Sequence, residues 1–213
     1  MNEDQFQILL SLSITVPFVA CLLRLKQIPK SFYPIVYLII LGFINELINY
    51  VFFPGSNAVP TNIYNLLEYL LYCWQFKKWE HVLKNKYSFL LLTLSVSIYW
   101  VIDNLIFLKI TTYTSMYLII YPFILVLLAV NELNFLVANE HGNILKNPLF
   151  IFCIAIIIFY SYRVLSEIFY HYAPDSNTKR NIFSIQSYVN VLFNILLTLV
   201  VLCLPKKRTI TLR

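Results

Sequence analysis

Apolar residues are grouped along this chain into seven long stretches, separated by short segments that are richer in polar residues. A membrane-spanning helix needs about 20 predominantly apolar residues, and each stretch approaches or reaches that length. The pattern therefore predicts an all-α polytopic membrane protein with seven transmembrane helices, forming a single integral membrane domain over residues 1–213. The predicted spans are 6–25, 33–53, 62–77, 87–108, 112–137, 149–171 and 182–204.

The composition agrees with this interpretation. Hydrophobic residues make up 60% of the chain and charged residues only 12%, whereas soluble domains average roughly 25% charged residues. The spans and their short loops use nearly every residue, so no soluble domain is expected. The net charge of +6 comes mainly from basic residues in loops and at span ends. We therefore expect the lipid bilayer, and not nucleic acid, as the partner of the basic residues.

The positions of the basic residues predict the orientation. Short cytoplasmic loops carry an excess of Lys and Arg, and here the basic clusters follow the first, third, fifth and seventh spans, whereas loop 54–61 has no charge. We therefore predict an N-terminus outside and a C-terminus in the cytoplasm, in the plasma (inner) membrane. The acidic start, 1–5, does not resemble a signal peptide, so the first span is expected to be retained. The basic residues of these cytoplasmic clusters are Arg24, Lys26, Lys30, Lys77, Lys78, Lys84, Lys86, Lys146, Lys206, Lys207, Arg208 and Arg213.

Three pairs of segments are similar and occur in the same order. VPFVACLL (Val16–Leu23) in span one matches YPFILVLL (Tyr121–Leu128) in span five. NELINYVFFPGSN in span two matches SEIFYHYAPDSN in span six, which would bring Glu46 onto Glu167. Segments around an asparagine match in spans three and seven. We interpret 6–77 and 112–204 as parallel repeats joined by a linker helix, 87–108; chance similarity among Leu/Ile-rich segments is the alternative.

A 3+1+3 arrangement with this topology resembles the SWEET and PQ-loop transporters and the receptor that retrieves KDEL-tailed proteins. In SWEETs, prolines in helices one, two, five and six act as hinges, and asparagines in helices three and seven contact the sugar. The resemblance is one of architecture only, and it implies a central cavity between two three-helix bundles. The corresponding residues here are Pro17, Pro34, Pro122, Pro148, Asn65 and Asn190.

Amide and charged side chains interrupt six of the seven spans. Ionisable residues inside a membrane are rare, face the bundle interior or a wet cavity, and mark functional sites. Because most of these side chains fall in the outer half of their spans, we predict an outward-facing polar pocket. Its candidate ligand-binding residues are Glu46, Asn49, Asn65, Glu68, Asp103, Arg163, Glu167, Gln186, Asn190 and Asn194.

Helical spacing predicts which of these side chains share a face. Gln186, Asn190 and Asn194 are at i, i+4 and i+8, so they form one stripe. Arg163 and Glu167 are also four residues apart and are predicted to pair, as are Tyr64 with Glu68 and Tyr99 with Asp103. This assignment leaves Glu46 and Glu68 without a required cationic partner.

The predicted pocket carries a formal excess of three negative charges, because four carboxylates face Arg163 alone. Either some of the carboxylates hold a proton, which gives a proton-coupled site, or the pocket binds a cation. The alternative is that the polar side chains only hold the helices together, through interhelical hydrogen bonds of about 0.6 kcal/mol each.

No catalytic or cofactor motif is present in the sequence. The four cysteines lie far apart inside apolar stretches, and the three histidines are scattered, so neither has the spacing of a metal site. No Walker loop, GxSxG or HExxH pattern occurs. We therefore expect no cofactor and no metal, and an intramembrane enzyme is the third and least favoured class because no nucleophile–base set is visible.

The sequence favours a transporter-like protein whose pocket binds a small polar or cationic solute, with proton coupling as one version. The alternative is a seven-helix receptor or sensor that binds an extracytoplasmic ligand and signals to a cytoplasmic partner or within a homo-oligomer. The cytoplasmic half of the bundle distinguishes the two, since a transporter needs a polar route to the inside. In the sequence, Asn131, Glu132 and Asn134 are the main candidates for that route.

Overall fold

The computed structural model is described over residues 10–52, 58–79, 85–107, 109–112, 115–139, 143–172 and 176–205. All regular secondary structure in these segments is helical, and the seven helices confirm the predicted number and order. The helices are α1 (Thr15–Arg24), α2 (Tyr33–Phe52), α3 (Ala58–Trp79), α4 (Lys86–Val101), α5 (Ser115–Asn139), α6 (Pro148–Tyr172) and α7 (Ser176–Cys203). Short 3₁₀ turns precede α1, α2 and α6, and α4 continues as a π-helix over Ile102–Phe107.

Five helical segments are long and apolar enough to cross a membrane, which is compatible with an integral membrane protein. The third helix falls outside this group because amides, Glu68 and two lysines lower the hydropathy of α3. The described part of α1 is only ten residues long. The five segments are Lys30–Asn49, Lys86–Phe107, Met116–Asn139, Pro148–Tyr170 and Thr178–Cys203.

Six of the helices form a closed ring. Going round it, α1 packs on α2, α2 on α3, α3 on α5, α5 on α6, α6 on α7, and α7 on α1. The remaining helix, α4, packs on α3 and α5 from outside the ring. Much of its apolar surface remains exposed, as at Leu91 and Ile98. The predicted linker helix is therefore peripheral, while the repeat itself stays a prediction.

The two ends of the bundle can be told apart by chain direction. We call the upper end the one at which α1, α3, α5 and α7 begin, and the lower end the one at which they finish. Side-chain contacts agree with this arrangement. Asn194 in α7 donates to Ser13 Oγ just before α1 (2.7 Å), and near the lower end Gln75 in α3 donates to the Ser31 carbonyl before α2 (3.0 Å).

The lower half of the bundle is filled by buried aromatic side chains, which we call the aromatic floor: Tyr72, Phe76, Trp79, Phe152 and Tyr160. Each is at most 8% exposed. The rings of Tyr72 and Tyr160 meet edge to face with centroids 5.5 Å apart, and Trp79 meets Phe152 in the same way at 5.7 Å. Aromatic pairs in this geometry add about 0.5–1.5 kcal/mol beyond the area they bury. The floor therefore joins α3 firmly to α6.

The prolines that the SWEET resemblance singles out occupy different kinds of position. Pro34 and Pro148 lie in the first turn of α2 and α6, where the missing N–H has no helical partner to lose. Pro122 lies inside α5, where it removes a backbone hydrogen bond. Pro17 follows the 3₁₀ turn Leu12–Ile14 at the start of α1. Only Pro17 and Pro122 are therefore placed where a helix can bend.

At the lower end, Arg24 binds the C-terminus of α7. Its guanidinium donates hydrogen bonds to the carbonyls of Val201, Leu202 and Leu204, the last at 2.9 Å. The last carbonyls of a helix have no intrahelical partner, and a cation at that end is favoured by the helix dipole. Arg24 thus supplies hydrogen-bond donors to the last carbonyls of α7 and holds α1 beside that helix.

Arg24→Gln should lower the free energy of unfolding by about 2 kcal/mol, because it leaves the carbonyls of Val201 and Leu204, both in part-buried contacts, without a charged donor. Thermal unfolding in detergent measures the change. Lys26→Gln, at an exposed position on the same segment, is the matched control and should change stability little. Equal effects of the two substitutions would contradict the assigned role of Arg24.

Candidate functional site

A polar cavity of about 510 Å³ lies in the upper half of the bundle, between the segment that precedes α1 and the helices α2, α3, α6 and α7. Nine of the ten predicted ligand-binding residues line it; Asp103 does not. The sequence did not single out Ser11, Thr61, Ser166 and Ser187, because a hydroxyl in a helix can also bond to its own backbone. The walls combine carboxylate, guanidinium, amide and hydroxyl groups with Ile14, Phe159 and Phe193.

Arg163 on α6 is the only cation on the described cavity wall. Its Nη2 donates to Asn65 Oδ1 on α3 at 2.9 Å, and its Nη1 lies 3.6 Å from Glu68 Oε2. The guanidinium also lies over the ring of Tyr121, 5.4 Å from its centroid, a geometry in which cation and ring attract. Arg163 therefore connects α6 to α3 and α5.

Two tyrosines hold the Glu68 carboxylate. Tyr64 donates to its Oε1 at 2.7 Å, which confirms the pairing predicted from the i, i+4 spacing. Tyr121 on α5 lies 3.0 Å from its Oε2 and 3.1 Å from Asn65 Oδ1, so its single proton is shared between two acceptors. Tyr121 was missed in the sequence because nothing distinguishes it from the other tyrosines of the spans.

The expectation that Glu68 has no cationic partner is wrong, since Arg163 forms an ion pair with it. Spacing along one helix predicted Glu167 as the partner of Arg163. Pairing between helices depends on how each helix is rotated in the bundle, and sequence spacing does not give that rotation. Glu167 lines the same cavity one turn further along α6, and its pairing with Arg163 stays a prediction.

Asp103 lies outside the cavity and has a different environment. It is 7% exposed, and its Oδ2 accepts the backbone N–H of Tyr117 at 3.3 Å. The first four N–H groups of a helix lack intrahelical acceptors, so Asp103 caps the first turn of α5. The cavity therefore holds Glu46, Glu68 and Glu167 against Arg163, a formal excess of two negative charges and not three.

A second group of polar side chains near Asp103 joins α3 to the segment between α4 and α5. Asn62 donates to the carbonyls of Ile110 (3.0 Å) and Thr112 (2.8 Å). Trp100 Nε1 donates to the Asn62 carbonyl at 3.0 Å. These contacts match the alternative interpretation in which polar groups hold helices together.

The stripe on α7 faces the cavity as the spacing predicts. Gln186, Asn190 and Asn194 all line it. Gln186 Oε1 accepts from Ser166 on α6 at 3.3 Å, and Asn194 is held by Ser13. The two ends of the stripe thus join helices, and Asn190 between them is left to face the cavity.

Two amide atoms in the cavity wall have no hydrogen-bond partner among the described residues. They are Nδ2 of Asn65, a side chain with no exposed surface, and Oδ1 of Asn49. A buried polar atom without a partner costs about 1–3 kcal/mol. One donor and one acceptor in the wall are therefore available to a bound molecule.

The lower half offers no comparable polar surface. Asn131 and Asn134 are exposed on the outside of α5, while Glu132 is completely buried. Below Glu68, the aromatic floor is buried together with aliphatic side chains such as Ile39 and Val200. The predicted polar route through Asn131, Glu132 and Asn134 therefore does not connect to the cavity in this structure.

Nothing in the described residues resembles a metal centre. No group of three His, Cys, Asp or Glu side chains is close enough together there to hold an ion. The four cysteines are free, and three of them are buried. The polar groups that line the cavity offer ionic and hydrogen-bonding contacts.

The fold and the site together define the class of protein. It is an all-helical bundle with five membrane-compatible segments and a one-sided polar cavity. The chain matches no known family model, no curated protein and no solved structure.

Glu68→Gln should destabilise the protein by about 3 kcal/mol, because it removes the carboxylate that forms the described ion pair with Arg163. Arg163→Met in the same chain should recover part of that loss. Thermal unfolding of the two single variants and the double variant gives the coupling. Glu46→Gln removes a carboxylate from the same cavity without breaking a described ion pair, and is the control. Additive effects of Glu68→Gln and Arg163→Met would show that the pair is not coupled.

Proposed function

We propose that the protein is an integral membrane transporter whose cavity admits a small polar or cationic solute from the extracytoplasmic side. All seven helices cross the membrane in this proposal, with the upper end outside and the C-terminus in the cytoplasm. The observation that carries it is the cavity, whose wall holds three carboxylates and one cation and includes two amide atoms without a partner among the described residues.

The charge of the cavity supports selection for a positive group. Glu68 is neutralised by Arg163 and is held by Tyr64 and Tyr121. Glu46 on α2 has no ion pair among the described residues and can meet a solute, and Glu167 on α6 lines the same cavity. In a site of low dielectric they attract a cation, or a proton, much more strongly than in water. Coupling of solute entry to proton binding follows from the same two groups.

The position of the cavity supports movement of the ring as two halves. Its wall is shared by the segment preceding α1, α2 and α3 on one side and by α6 and α7 on the other. In the predicted parallel repeat, Glu46 and Glu167 are equivalent, and both line the cavity. Transporters built from repeats bind at the interface between the repeats and rock one half against the other. Pro17 and Pro122, at corresponding places of the two repeats, are the proposed hinges.

A receptor or sensor is the second candidate, and the aromatic floor favours it. The rings of Tyr72, Tyr160, Phe152 and Trp79 close the bundle below the cavity. A receptor can keep this closure permanently, whereas a transporter must open it. The two functions therefore predict different behaviour in a sealed vesicle.

Orientation is tested with single cysteines in a Cys203→Ser background, since the other three cysteines are buried. Thr111→Cys at the exposed upper end should react with an impermeant maleimide in intact cells. Tyr87→Cys, 82% exposed at the lower end, should react only after the membrane is opened. Labelling of position 87 in intact cells would reverse the proposed orientation. By sequence, Ser56 is a labelling position on the same side as Thr111, and Lys84 is one on the same side as Tyr87. Both lie outside the described residues.

Transport is tested with purified protein in sealed proteoliposomes and a panel of radiolabelled amines, amino acids and sugars. We expect uptake of a solute that carries a positive group. Glu46→Gln and Glu167→Gln should each weaken its binding about tenfold or more, since hydrogen bonds to charged groups contribute about 1.5–3 kcal/mol. Asp103→Asn is the control, because this carboxylate lies outside the cavity and its amide can still accept from Tyr117. Binding without uptake would identify a receptor, and neither binding nor uptake would refute both functions.

A further inference from the structure

The guanidinium of Arg163 has more donors than the protein satisfies. It carries five N–H groups, and its recorded hydrogen bond is the one from Nη2 to Asn65. Glu68 is 3.6 Å away, beyond hydrogen-bonding distance, and both of its oxygens already accept from tyrosines. No other acceptor within hydrogen-bonding distance is found among the described residues. About 16% of the side chain is exposed, and it lines the cavity.

These donors are suited to a carboxylate. The planar fork of Arg binds the two oxygens of a carboxylate through parallel hydrogen bonds, which a neutral hydroxyl cannot use in the same way. Asn65 adds a further donor beside it, because its Oδ1 accepts from Arg163 while its Nδ2 is buried and has no partner. The wall formed by α3 and α6 thus brings the N–H donors of Arg163 and Asn65 together, beside the carboxylates of Glu68 and Glu167.

The wall formed by α2 offers hydrogen-bond acceptors instead of donors. Glu46 and Asn49 are three residues apart, so they lie on the same face of the helix, and both line the cavity. Asn49 Oδ1 has no partner among the described residues. A carboxylate and an amide oxygen together accept hydrogen bonds from an ammonium group, which has three N–H donors and no acceptor. The α2 wall therefore suits the positive end of a solute.

We infer that the solute is a zwitterion of the α-amino acid type, with its carboxylate on Arg163 and Asn65 and its ammonium on Glu46 and Asn49. This inference rests on the proposed function and narrows it from cationic solutes to those that carry both charges. The cavity volume of about 510 Å³ falls in the range of sites for small molecules. A ligand with one charge would leave the polar groups of one wall without hydrogen-bond partners. The cost of those unpaired groups is how a polar site rejects such a ligand.

The experiment compares matched ligands on the unmodified protein. Pools of the twenty amino acids are screened for thermal stabilisation and binding in detergent. The best ligand is then compared with its amide, which lacks the carboxylate, and with the corresponding acid, which lacks the ammonium. We expect each derivative to bind at least about tenfold more weakly than the amino acid.

Two variants assign the ends of the ligand. Arg163→Lys keeps the charge but loses the fork, and should reduce the preference for the amino acid over its amide. Glu46→Gln should reduce the preference for the amino acid over the acid. Asp103→Asn should change neither preference. Because the comparison of ligands uses the unmodified protein, it stands even where a variant folds poorly.

The outcomes separate this inference from the proposed function. If the amide or a simple amine binds as tightly as the amino acid, the carboxylate site is refuted and a transporter of cations still stands. If the acid binds as tightly, the ammonium site is refuted. If amines or sugars are taken up in proteoliposomes and no amino acid binds, the inference fails alone. If no solute of any class binds or is taken up, it fails together with the proposed function.

Discussion

The positive charge of Arg163 lies inside a helical bundle, and the upper half of the structure is arranged around it. A buried cation is stable only with a carboxylate and hydrogen-bond acceptors close by. Glu68 supplies the opposite charge and Asn65 the acceptor, both from α3, while Tyr121 on α5 lies beneath the guanidinium. One side chain thus makes the packing of three helices interdependent, and the same side chain borders the cavity. Stability and recognition therefore depend on one group of residues.

The helices and much of the cavity wall could be predicted from the sequence, for a specific reason. Lipid allows so few polar side chains that those present must face inward, so their positions indicate the interior face of each helix. The stripe Gln186, Asn190 and Asn194 followed from helical spacing alone, as did the contact of Tyr64 with Glu68. Both depend on geometry within one helix, which the sequence determines.

Contacts between helices were not predictable in the same way. Asp103 has the appearance of a cavity residue, yet it caps α5 because α4 lies outside the ring. Glu68 forms an ion pair with Arg163 because of the way α3 is oriented about its axis relative to α6. Tyr121 lies in an apolar stretch with other tyrosines, and only the fold brings its hydroxyl to Glu68 and Asn65. In each case the relative position of two helices decides the role of the residue.

A one-sided polar cavity must admit water from the upper end and be closed below by the aromatic floor. Asn190 lines the cavity, and Leu197, two turns further along α7, is 4% exposed in the closed part of the bundle. The most direct test is the rate at which a small water-soluble thiol reagent modifies Asn190→Cys and Leu197→Cys in a Cys203→Ser background. Rapid modification of position 190 and none of position 197 is expected. Equal rates, or no modification of position 190, would contradict a one-sided polar cavity.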